Sequence, residues 1–269
     1  MVKIEQASCI GCGQCVADCV NGLIQIEHGK AVVQNENCNR CSHCVAICPQ
    51  KAILIEELPQ DITEYTEETA KTSPEQLLNL VRFRRSIRQY QEREIAQQVL
   101  EQILEAGRFM PTGSNTQDVQ YTVVQKNLPE VRSLVWEGLK AYVEKTLHHE
   151  AASELERRVA SRIQKLVSQH DTGEVGEILF FQAPVLLVIS ANAVNNAVLA
   201  AAAIELMANA CGLGCLFSGF IQRGLKNSPA ALEKLDLDGN KICITMLLGY
   251  PAVSYCRSAQ RKPVQVSWR

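Results

Sequence analysis

Eight of the twelve cysteines lie in the first 48 residues, and their spacing constrains this chain more than any other feature. They form two runs of the pattern C-x2-C-x2-C-x3-C, and each cysteine of the second run follows its counterpart by 29 residues. The match continues after the cysteines, because Ile24 and Ile26 correspond to Ile53 and Ile55. The N-terminal region is therefore an internal duplication, and each half reads as a cysteine loop followed by a short alternating strand. The runs are Cys9, Cys12, Cys15 and Cys19, then Cys38, Cys41, Cys44 and Cys48.

The surroundings of these thiols are predicted to be reducing. Residues 1–9 (MVKIEQASC) carry charge but lack the apolar core of a secretory signal. The apolar run 197–204 is far shorter than the ~20 residues that a membrane-spanning helix needs. We therefore expect a cytoplasmic protein without a membrane partner, in which disulfides are rare. The eight clustered cysteines then require a metal explanation. Zinc is one alternative, since paired C-x2-C units bind it, but iron–sulfur clusters account better for the duplicated third and fourth cysteines.

Over residues 3–58 the pattern resembles that of two-cluster bacterial-type ferredoxins. In that family the fourth cysteine of each run ligates the other cluster. The resemblance implies that one [4Fe–4S] cluster is bound by Cys9, Cys12, Cys15 and Cys48, and a second by Cys38, Cys41, Cys44 and Cys19. Pro49 follows Cys48 as in the family, whereas Val20 replaces the proline expected after Cys19. Because so small a domain is marginally stable, cluster ligation would supply much of its folding free energy.

Charge and composition divide the chain into three parts. Residues 1–76 contain 5 Lys and Arg against 11 Asp and Glu, whereas residues 77–269 contain 22 against 18. The net charge of −2 argues against a nucleic-acid partner. Residues 59–75 are acidic, contain two prolines and show almost no apolar periodicity. We predict a ferredoxin-like domain at 1–58, an acidic and semi-extended linker at 59–75, and a larger domain at 76–269.

Hydrophobic periodicity in the larger domain predicts alternating helices and strands. Helices are expected at 95–108, in one or two segments over 129–169, and at 198–210, with Gly212 ending the last of them. Strands are expected at 119–124, 184–191 and 242–248. The almost continuous apolar run at 184–191 indicates a strand that is covered on both faces.

Four segments of this domain carry a resemblance to one known family, in that family's order. Residues 84–90 (RRSIRQY) resemble the R-x-S-x-R motif, and residues 111–117 (PTGSNTQ) the P-S-x-x-N-x-Q segment, of the nitroreductase family of FMN enzymes. Residues 211–215 (CGLGC) resemble its G-L-G turn, and residues 248–251 (LGYP) with 261–263 (RKP) match its ending. Two departures occur: Asp118 and Val119 follow Gln117 where the family often has Pro-Trp, and Ala259 stands where a basic residue is sometimes found.

The resemblance implies an α+β fold with helices around a mainly antiparallel central sheet, preceded by the small ferredoxin-like domain. It also implies a homodimer with FMN at the subunit interface. Cations and a hydroxyl suit the phosphate, neutral amides suit the edge of the flavin ring, and a glycine permits close approach of the backbone to the ring. The residues implied to bind FMN are Arg84, Arg85, Ser86, Arg88, Asn115, Gln117, Gly214 and Arg261.

By this resemblance the chain is an FMN-dependent oxidoreductase that reduces nitro, quinone or other conjugated electron-poor small molecules. Hydride comes from FMN, so no side chain is assigned as a catalyst. Electrons would come from a ferredoxin-like protein or NAD(P)H and pass through two intrinsic [4Fe–4S] clusters. The alternative is an electron-transfer or redox-sensing protein whose partner is another protein. Residues 140–182 are expected to cover the active site, with Tyr142, Phe180 or Phe181 against the substrate, while Cys211 and Cys215 are expected to be small buried hydrophobes.

Overall fold

The computed structural model describes residues 1–173 and 176–269 and contains two compact units. The first unit consists of Met1–Lys71 together with Gly113–Thr116. The second consists of Thr72–Thr112 and Gln117–Arg269. Within the described ranges, no helix is both long enough and apolar enough to span a bilayer.

The first unit contains two copies of one small motif, a cysteine loop with a short helix and a strand on each side. Strand β1 pairs antiparallel with β4, with Val2 opposite Ile55, and β2 pairs antiparallel with β3, with Ile24 opposite Val33. Each pair of strands accompanies one cysteine loop and one short helix, as the duplication predicts. The elements are β1 (Val2–Ile4), α1 (Gln14–Asp18), β2 (Ile24–Glu27), β3 (Lys30–Val33), α2 (His43–Ile47) and β4 (Ile53–Ile55).

The predicted acidic linker contains one short helix, α3 (Glu67–Ala70), which the expectation of a semi-extended segment did not include. Its N-cap is Thr66, whose hydroxyl accepts from the backbone N–H of Thr69, while the Thr69 side chain accepts from the Thr66 N–H. This reciprocal cap satisfies two backbone donors locally, so a single helical turn forms without an apolar face.

The two halves differ in how they make the same backbone turns. Gly11, Gly13 and Gly22 have positive φ angles of 69°, 77° and 62°. Their equivalents 29 residues later are Arg40, Ser42 and Lys51, with φ angles of 54°, 63° and 51°. Left-handed backbone costs a residue with a Cβ about 1–2 kcal/mol, so the second half folds with local strain that the first half avoids. The three equivalences are Gly11–Arg40, Gly13–Ser42 and Gly22–Lys51.

The second unit is built on a four-stranded antiparallel sheet in the order β5-β6-β8-β7. The strands are β5 (Gln120–Val124), β6 (Val185–Ser190), β7 (Gly214–Phe217) and β8 (Ile242–Gly249). The helices are α4 (Pro74–Phe83), α5 (Gln97–Arg108), α6 (Leu128–Leu147), α7 (Glu154–Thr172), α8 (Val194–Ala210), α9 (Gly219–Lys226) and α10 (Pro229–Lys234). The predicted strands at 119–124, 184–191 and 242–248 and the predicted helices at 95–108 and 129–169 correspond to described elements.

Strand β6 has a separate core on each face because alternate side chains point in opposite directions. Leu186 and Val188 pack in a cluster with side chains of α6 and α9. Leu187 and Ile189 pack on the other face with side chains of α5 and α8. Every residue of β6 is buried, which explains the continuous apolar run. The strand is covered on both faces, as expected, although the sheet around it is antiparallel.

Helix α8 begins four residues earlier than predicted and ends as predicted. Its terminus is closed by Gly212, with a φ of 76°, and by the N–H of Leu213, which donates to the Ala208 carbonyl at 2.8 Å. This is the left-handed helix end that favours glycine. The turn leads directly into β7, so it sets where the CGLGC segment meets the sheet.

Within the predicted cover at 140–182, the prediction that Phe180 contacts the substrate is wrong. Phe180 has no exposed surface and belongs to the core cluster, so this side chain cannot contact a substrate in the described conformation. Tyr142 and Phe181 are half-buried and pack against the same cluster. Residues 174 and 175 of this stretch lie outside the described residues.

Candidate cofactor sites

Two cavities in the first unit are lined by four cysteines each. The first is lined by Cys9, Cys12, Cys15 and Cys48, together with apolar side chains that include Ile10 and Ile53. The second is lined by Cys19, Cys38, Cys41 and Cys44. In both cavities three thiols come from one run and the fourth comes from the other run.

Backbone N–H groups point at several of these sulfurs. The N–H of Ala31 donates to Cys9 Sγ at 3.4 Å, that of Leu23 to Cys19 Sγ at 3.4 Å, and that of Ala52 to Cys48 Sγ at 3.3 Å. Such donors stabilise a thiolate, and the pKa of Cys9 is lowered chiefly by the N–H of Ala31 and then by that of Gly11.

The pKa values of two other thiols are shifted upward. Burial raises the pKa of Cys15, and it raises the pKa of Cys44 to about 11, with the nearby Cys38 and Cys41 adding to the shift. A positive metal centre is what would reverse such shifts, because a coordinating thiol is deprotonated outright. No group of three His, Cys, Asp or Glu side chains that could hold a single metal ion occurs in the described ranges. The donor set of four thiols around each cavity, with amide donors to sulfur, fits an iron–sulfur cluster.

In the second unit, the RRSIRQY segment is held at one end by an ion pair. Arg84 directly follows α4, and its Nη1 lies 3.1 Å from Oε1 of Glu205 on α8. Burial raises the pKa of Glu205, and the charge of Arg84 partly offsets this shift. Glu205 is the only charged residue in the sequence of α8. That isolated charge in an apolar helix is the signal that sequence reasoning missed.

The middle of the segment is fixed on the edge of β7. The N–H of Ile87 donates to the Cys215 carbonyl at 2.9 Å, and Ser86 and Cys215 form an isolated parallel bridge. A Cβ at Gly214 would lie 2.3 Å from Cγ1 of Ile87 and 3.1 Å from Cγ of Pro251. The space on the Cβ side of Gly214 is therefore filled by Ile87 and Pro251, so packing requires this glycine. Its predicted approach to a flavin ring stays a prediction.

The far end of the segment pairs with the sequence after β8. Tyr90 and Pro251 form an antiparallel bridge, and the N–H of Gln91 donates to the Tyr250 carbonyl at 2.8 Å. Tyr90 is buried, and its hydroxyl has no hydrogen-bond partner among the described residues. The LGYP motif thus anchors the RRSIRQY motif, although 160 positions separate Gln91 from Pro251.

The remaining cations of the motif are more accessible. Arg85 is half-buried with its guanidinium 5.4 Å from the centre of the Tyr255 ring, and Arg88 is exposed. In the described part of the chain, neither has a carboxylate partner within ion-pair distance. Arg261 is exposed and donates to the Gln260 carbonyl at 3.1 Å. Arg85, Arg88 and the half-buried Ser86 hydroxyl suit an anionic phosphate.

Cys215 lies beneath this motif. It is buried, and its pKa is raised by that burial, with Glu205 adding to the shift and Arg84 opposing it. This agrees with the expected role of Cys215 as a small buried residue. Cys211 is half-buried, with its thiol 3.7 Å from Oε1 of Gln102.

The two predicted amide residues have different surroundings. Nδ2 of Asn115 donates to the carbonyls of Asn39 and Arg40 at 2.9 and 3.1 Å, which places this amide in the first unit. Gln117 is exposed, and its backbone N–H donates to Oγ1 of Thr112 at 2.9 Å. The contacts of Asn115 were not anticipated from the sequence, and the roles of both amides toward a flavin stay predictions.

Asp118, which stands where the family often has proline, has a structural role in this chain. Its carboxylate accepts from the N–H of Asn192 and from Nδ2 of Asn196, both at 2.7 Å. These bonds join the start of β5 to the start of α8. Asp118 therefore has a structural role at this position.

Comparisons with known proteins agree with both units. The model of the nitroreductase family matches residues 81–250, and that of the 4Fe-4S dicluster domain matches residues 8–67. A search of the curated proteins found no match.

Several solved structures share the fold of the larger part of the chain. A nitroreductase with bound FMN from Bacteroides fragilis NCTC 9343 is 18% identical with a TM-score of 0.57, covering 73% of this chain and 100% of that one. A nitroreductase with bound FMN from Desulfitobacterium hafniense DCB-2 is 19% identical with a TM-score of 0.51, covering 71% and 98%. A BluB-like flavoprotein from Clostridium difficile 630 is 14% identical with a TM-score of 0.53, covering 72% and 96%. With the family match over 81–250, these findings show that the chain belongs to the nitroreductase family of FMN-dependent oxidoreductases.

Proposed function

We propose that this protein reduces nitro, quinone or other conjugated electron-poor small molecules at FMN, with electrons relayed through two [4Fe–4S] clusters. The single observation that carries the proposal is the pair of four-cysteine cavities in a chain of the nitroreductase family. In this scheme residues 1–58 hold the clusters, residues 59–75 connect the parts, and residues 76–269 bind FMN and the acceptor.

The eight cysteines hold the clusters in crossed sets. Cys9, Cys12, Cys15 and Cys48 bind one, and Cys38, Cys41, Cys44 and Cys19 bind the other, as the cavity linings support. Crossing joins the two halves covalently through the metal and keeps the clusters close, which favours electron exchange between them. These thiols need a reducing compartment, such as the cytoplasm, to stay available as ligands.

The RRSIRQY motif holds the phosphate of FMN. Arg84, Arg85, Ser86, Arg88 and Arg261 supply the cations and hydroxyl, while Asn115, Gln117 and Gly214 are assigned to the flavin ring. The anchoring of this motif at Glu205, Cys215 and Tyr250 keeps its donors in place before the cofactor binds, so less conformational freedom is lost on binding.

Bound FMN supplies both one-electron acceptance from the clusters and two-electron transfer to a substrate. The contribution of the protein is to orient the acceptor against the ring and to exclude water. No side chain is assigned as a proton donor or nucleophile. The electron donor is a ferredoxin-like protein or NAD(P)H.

We also propose that the protein is a homodimer. Helix α8 is apolar on more than the face that enters the core: Val194, Val198 and Leu199 are 59%, 45% and 40% exposed. Helix α4, which contacts α8, exposes Leu77, Leu78, Val81 and Phe83. A helix that is hydrophobic all round is usually covered on all sides, and a second copy of this chain would cover this surface.

The first experiment measures cofactors in protein purified without oxygen. About eight iron and eight sulfide per chain are expected, since each [4Fe–4S] cluster carries four of each, together with one FMN. Cys48→Ser should remove the same cluster signal in electron paramagnetic resonance as Cys9→Ser, whereas Cys19→Ser should remove the other. Cys256→Ser, at an exposed cysteine outside the clusters, is the matched control. Zinc without sulfide would contradict the cluster assignment.

The second experiment tests turnover. Reduced ferredoxin or NAD(P)H is supplied with a nitroaromatic or a quinone, and the rate is followed against acceptor concentration. A saturable rate that falls when either cluster is removed supports the proposed relay. Reduction of flavin and clusters without any saturable small-molecule rate would instead identify an electron carrier or redox sensor.

A further inference from the structure

The duplication permits a position-by-position comparison of the two cluster sites. An offset of 29 residues relates Cys9 to Cys38 and Cys19 to Cys48. The same offset relates strand β1 to β3, so Val2 is equivalent to Ala31, and Gln6 is equivalent to Asn35. Any hydrogen bond present at one site and absent at the other is thus a difference between the two clusters.

The environment of the fourth cysteine in each run is symmetric. The N–H of Leu23 lies 3.4 Å from Cys19 Sγ, and the N–H of the equivalent Ala52 lies 3.3 Å from Cys48 Sγ. Because the fourth ligands are exchanged, each cluster receives one of these two bonds.

The environment of the first cysteine in each run is not symmetric. The N–H of Ala31 donates to Cys9 Sγ at 3.4 Å. The equivalent N–H of Val2 donates instead to Oδ1 of Asn35 at 2.7 Å. Within the described part of the chain, Cys38 has no backbone donor corresponding to the one at Cys9.

The cause is a difference of one methylene group. Nε2 of Gln6 donates to the Ala31 carbonyl at 3.0 Å, and Nδ2 of Asn35 donates to the Val2 carbonyl at 3.1 Å, so both amides make the same first bond. Oδ1 of the shorter Asn35 also accepts from the N–H of Val2. Gln6 does not accept from the equivalent N–H of Ala31, which donates to Cys9 Sγ instead. Asn35 therefore removes one donor from the second cluster.

The positive charges near the first cysteine of each run also favour the reduced state of the first cluster over that of the second. Nζ of the half-buried Lys30 donates to the Cys9 carbonyl. The equivalent residue is Met1, whose ammonium group is paired with Glu57. Arg40 lines the second cavity, and its positive charge favours the reduced state of the second cluster. Because Arg40 is exposed, solvent and salt reduce this effect.

We propose that Asn35 makes the two clusters unequal, and that the cluster of Cys9, Cys12, Cys15 and Cys48 has the higher reduction potential. Hydrogen bonds to sulfur set cluster potentials, because a donor stabilises the extra negative charge of the reduced state. One electron then passes downhill from the second cluster, which is oxidised, to the first, which is reduced, and no bond or proton changes. The inference rests on the proposed function, since it requires both clusters.

The test is a potentiometric titration of the full-length, cluster-loaded protein, monitored by electron paramagnetic resonance. The unmodified protein should show two separate potentials. Asn35→Gln should free the N–H of Val2 to donate to Cys38 Sγ and thereby raise the lower potential. The expected shift changes the equilibrium constant for electron transfer between the clusters on the order of tenfold, or about 59 mV for a one-electron couple. The reciprocal variant Gln6→Asn should capture the N–H of Ala31 and lower the higher potential.

Equal potentials in the unmodified protein, or an Asn35→Gln variant with both potentials unchanged, would overturn the inference while leaving the relay intact. Movement of the higher potential by Asn35→Gln would also overturn it. Failure of the unmodified protein to take up two clusters would instead refute the proposed function. If Asn35→Gln does not fold, the Gln6→Asn variant decides the question alone.

Discussion

Replacing Gly214 with alanine tests whether the RRSIRQY motif depends on close packing against β7. The added Cβ would lie 2.3 Å from Cγ1 and 2.9 Å from Cβ of Ile87, a β-branched side chain that is 5% exposed. Because the neighbour is stiff and buried, relief requires displacement of the backbone at Ile87. Overpacking of this kind costs about 1–3 kcal/mol, and loss of the Ile87 N–H bond to Cys215 adds about 1 kcal/mol.

The assay combines urea unfolding with FMN titration by flavin fluorescence. Gly214→Ala should lower the free energy of unfolding by the amount above and weaken FMN binding, since the displaced segment carries the residues proposed to bind the phosphate. Gly219→Ala is the matched control, because its added Cβ would meet only the terminal Nη1 of Arg223 at 3.2 Å. In the Ile87→Ala background, which removes the contact with Cγ1 but keeps the Cβ at 2.9 Å, the same change at Gly214 should be less destabilising, which a double-mutant cycle measures. An alanine at 214 that leaves stability and FMN affinity unchanged would refute the packing argument.

Three further changes follow from the geometry. Glu205 has a folded-state pKa raised above its unfolded value, so the stability it contributes is present at low pH and lost as pH rises from about 4.5. The free energy of unfolding of Glu205→Gln should therefore increase relative to that of the unmodified protein as pH rises. A difference between the two proteins that does not change with pH would contradict this. Ser42→Gly should raise the thermal midpoint of the cluster-loaded protein, because φ is 63° at Ser42 and glycine removes about 1 kcal/mol of strain; Gly13→Ser should do the reverse, and equal midpoints would count against strain. Val198→Glu should convert a dimer to a monomer in analytical ultracentrifugation, because the charge would lie on the exposed apolar face of α8; an unchanged sedimentation coefficient would move the interface elsewhere.

The central elements of the second unit follow from hydrophobic periodicity because burial determines their composition. Strands β6 and β8 are buried along almost their whole length, and α5 has a clear apolar face. The short strand β7 was not predicted, since four residues after a glycine turn carry too little periodicity to be distinguished from a loop. Its position depends on pairing with β8, which is a tertiary contact.

For the candidate FMN site, the sequence predicts which residues take part but not how they are positioned relative to one another. Sequence motifs predict Arg84 as a cation for phosphate, but they do not predict its ion pair with Glu205, which joins positions 121 residues apart. Periodicity also could not show that Phe180 is a core residue. An aromatic residue in a connecting segment has no repeating pattern from which its burial can be read.

Cysteine spacing predicts which thiols line each cavity, because a cubane accepts only thiols that reach its corners and few spacings permit this. The spacing says nothing about the potentials of two clusters whose ligands are identical. The proposed difference lies outside the ligand residues, at Gln6 and Asn35, which occupy equivalent places in the duplication and differ in sequence by a conservative exchange. In the fold, the shorter side chain brings Oδ1 to 2.7 Å from the N–H of Val2 and removes that donor from a thiolate. Under the proposed assignment, a duplicated sequence gives two redox centres the same ligand geometry and separates their potentials by the length of a single amide side chain.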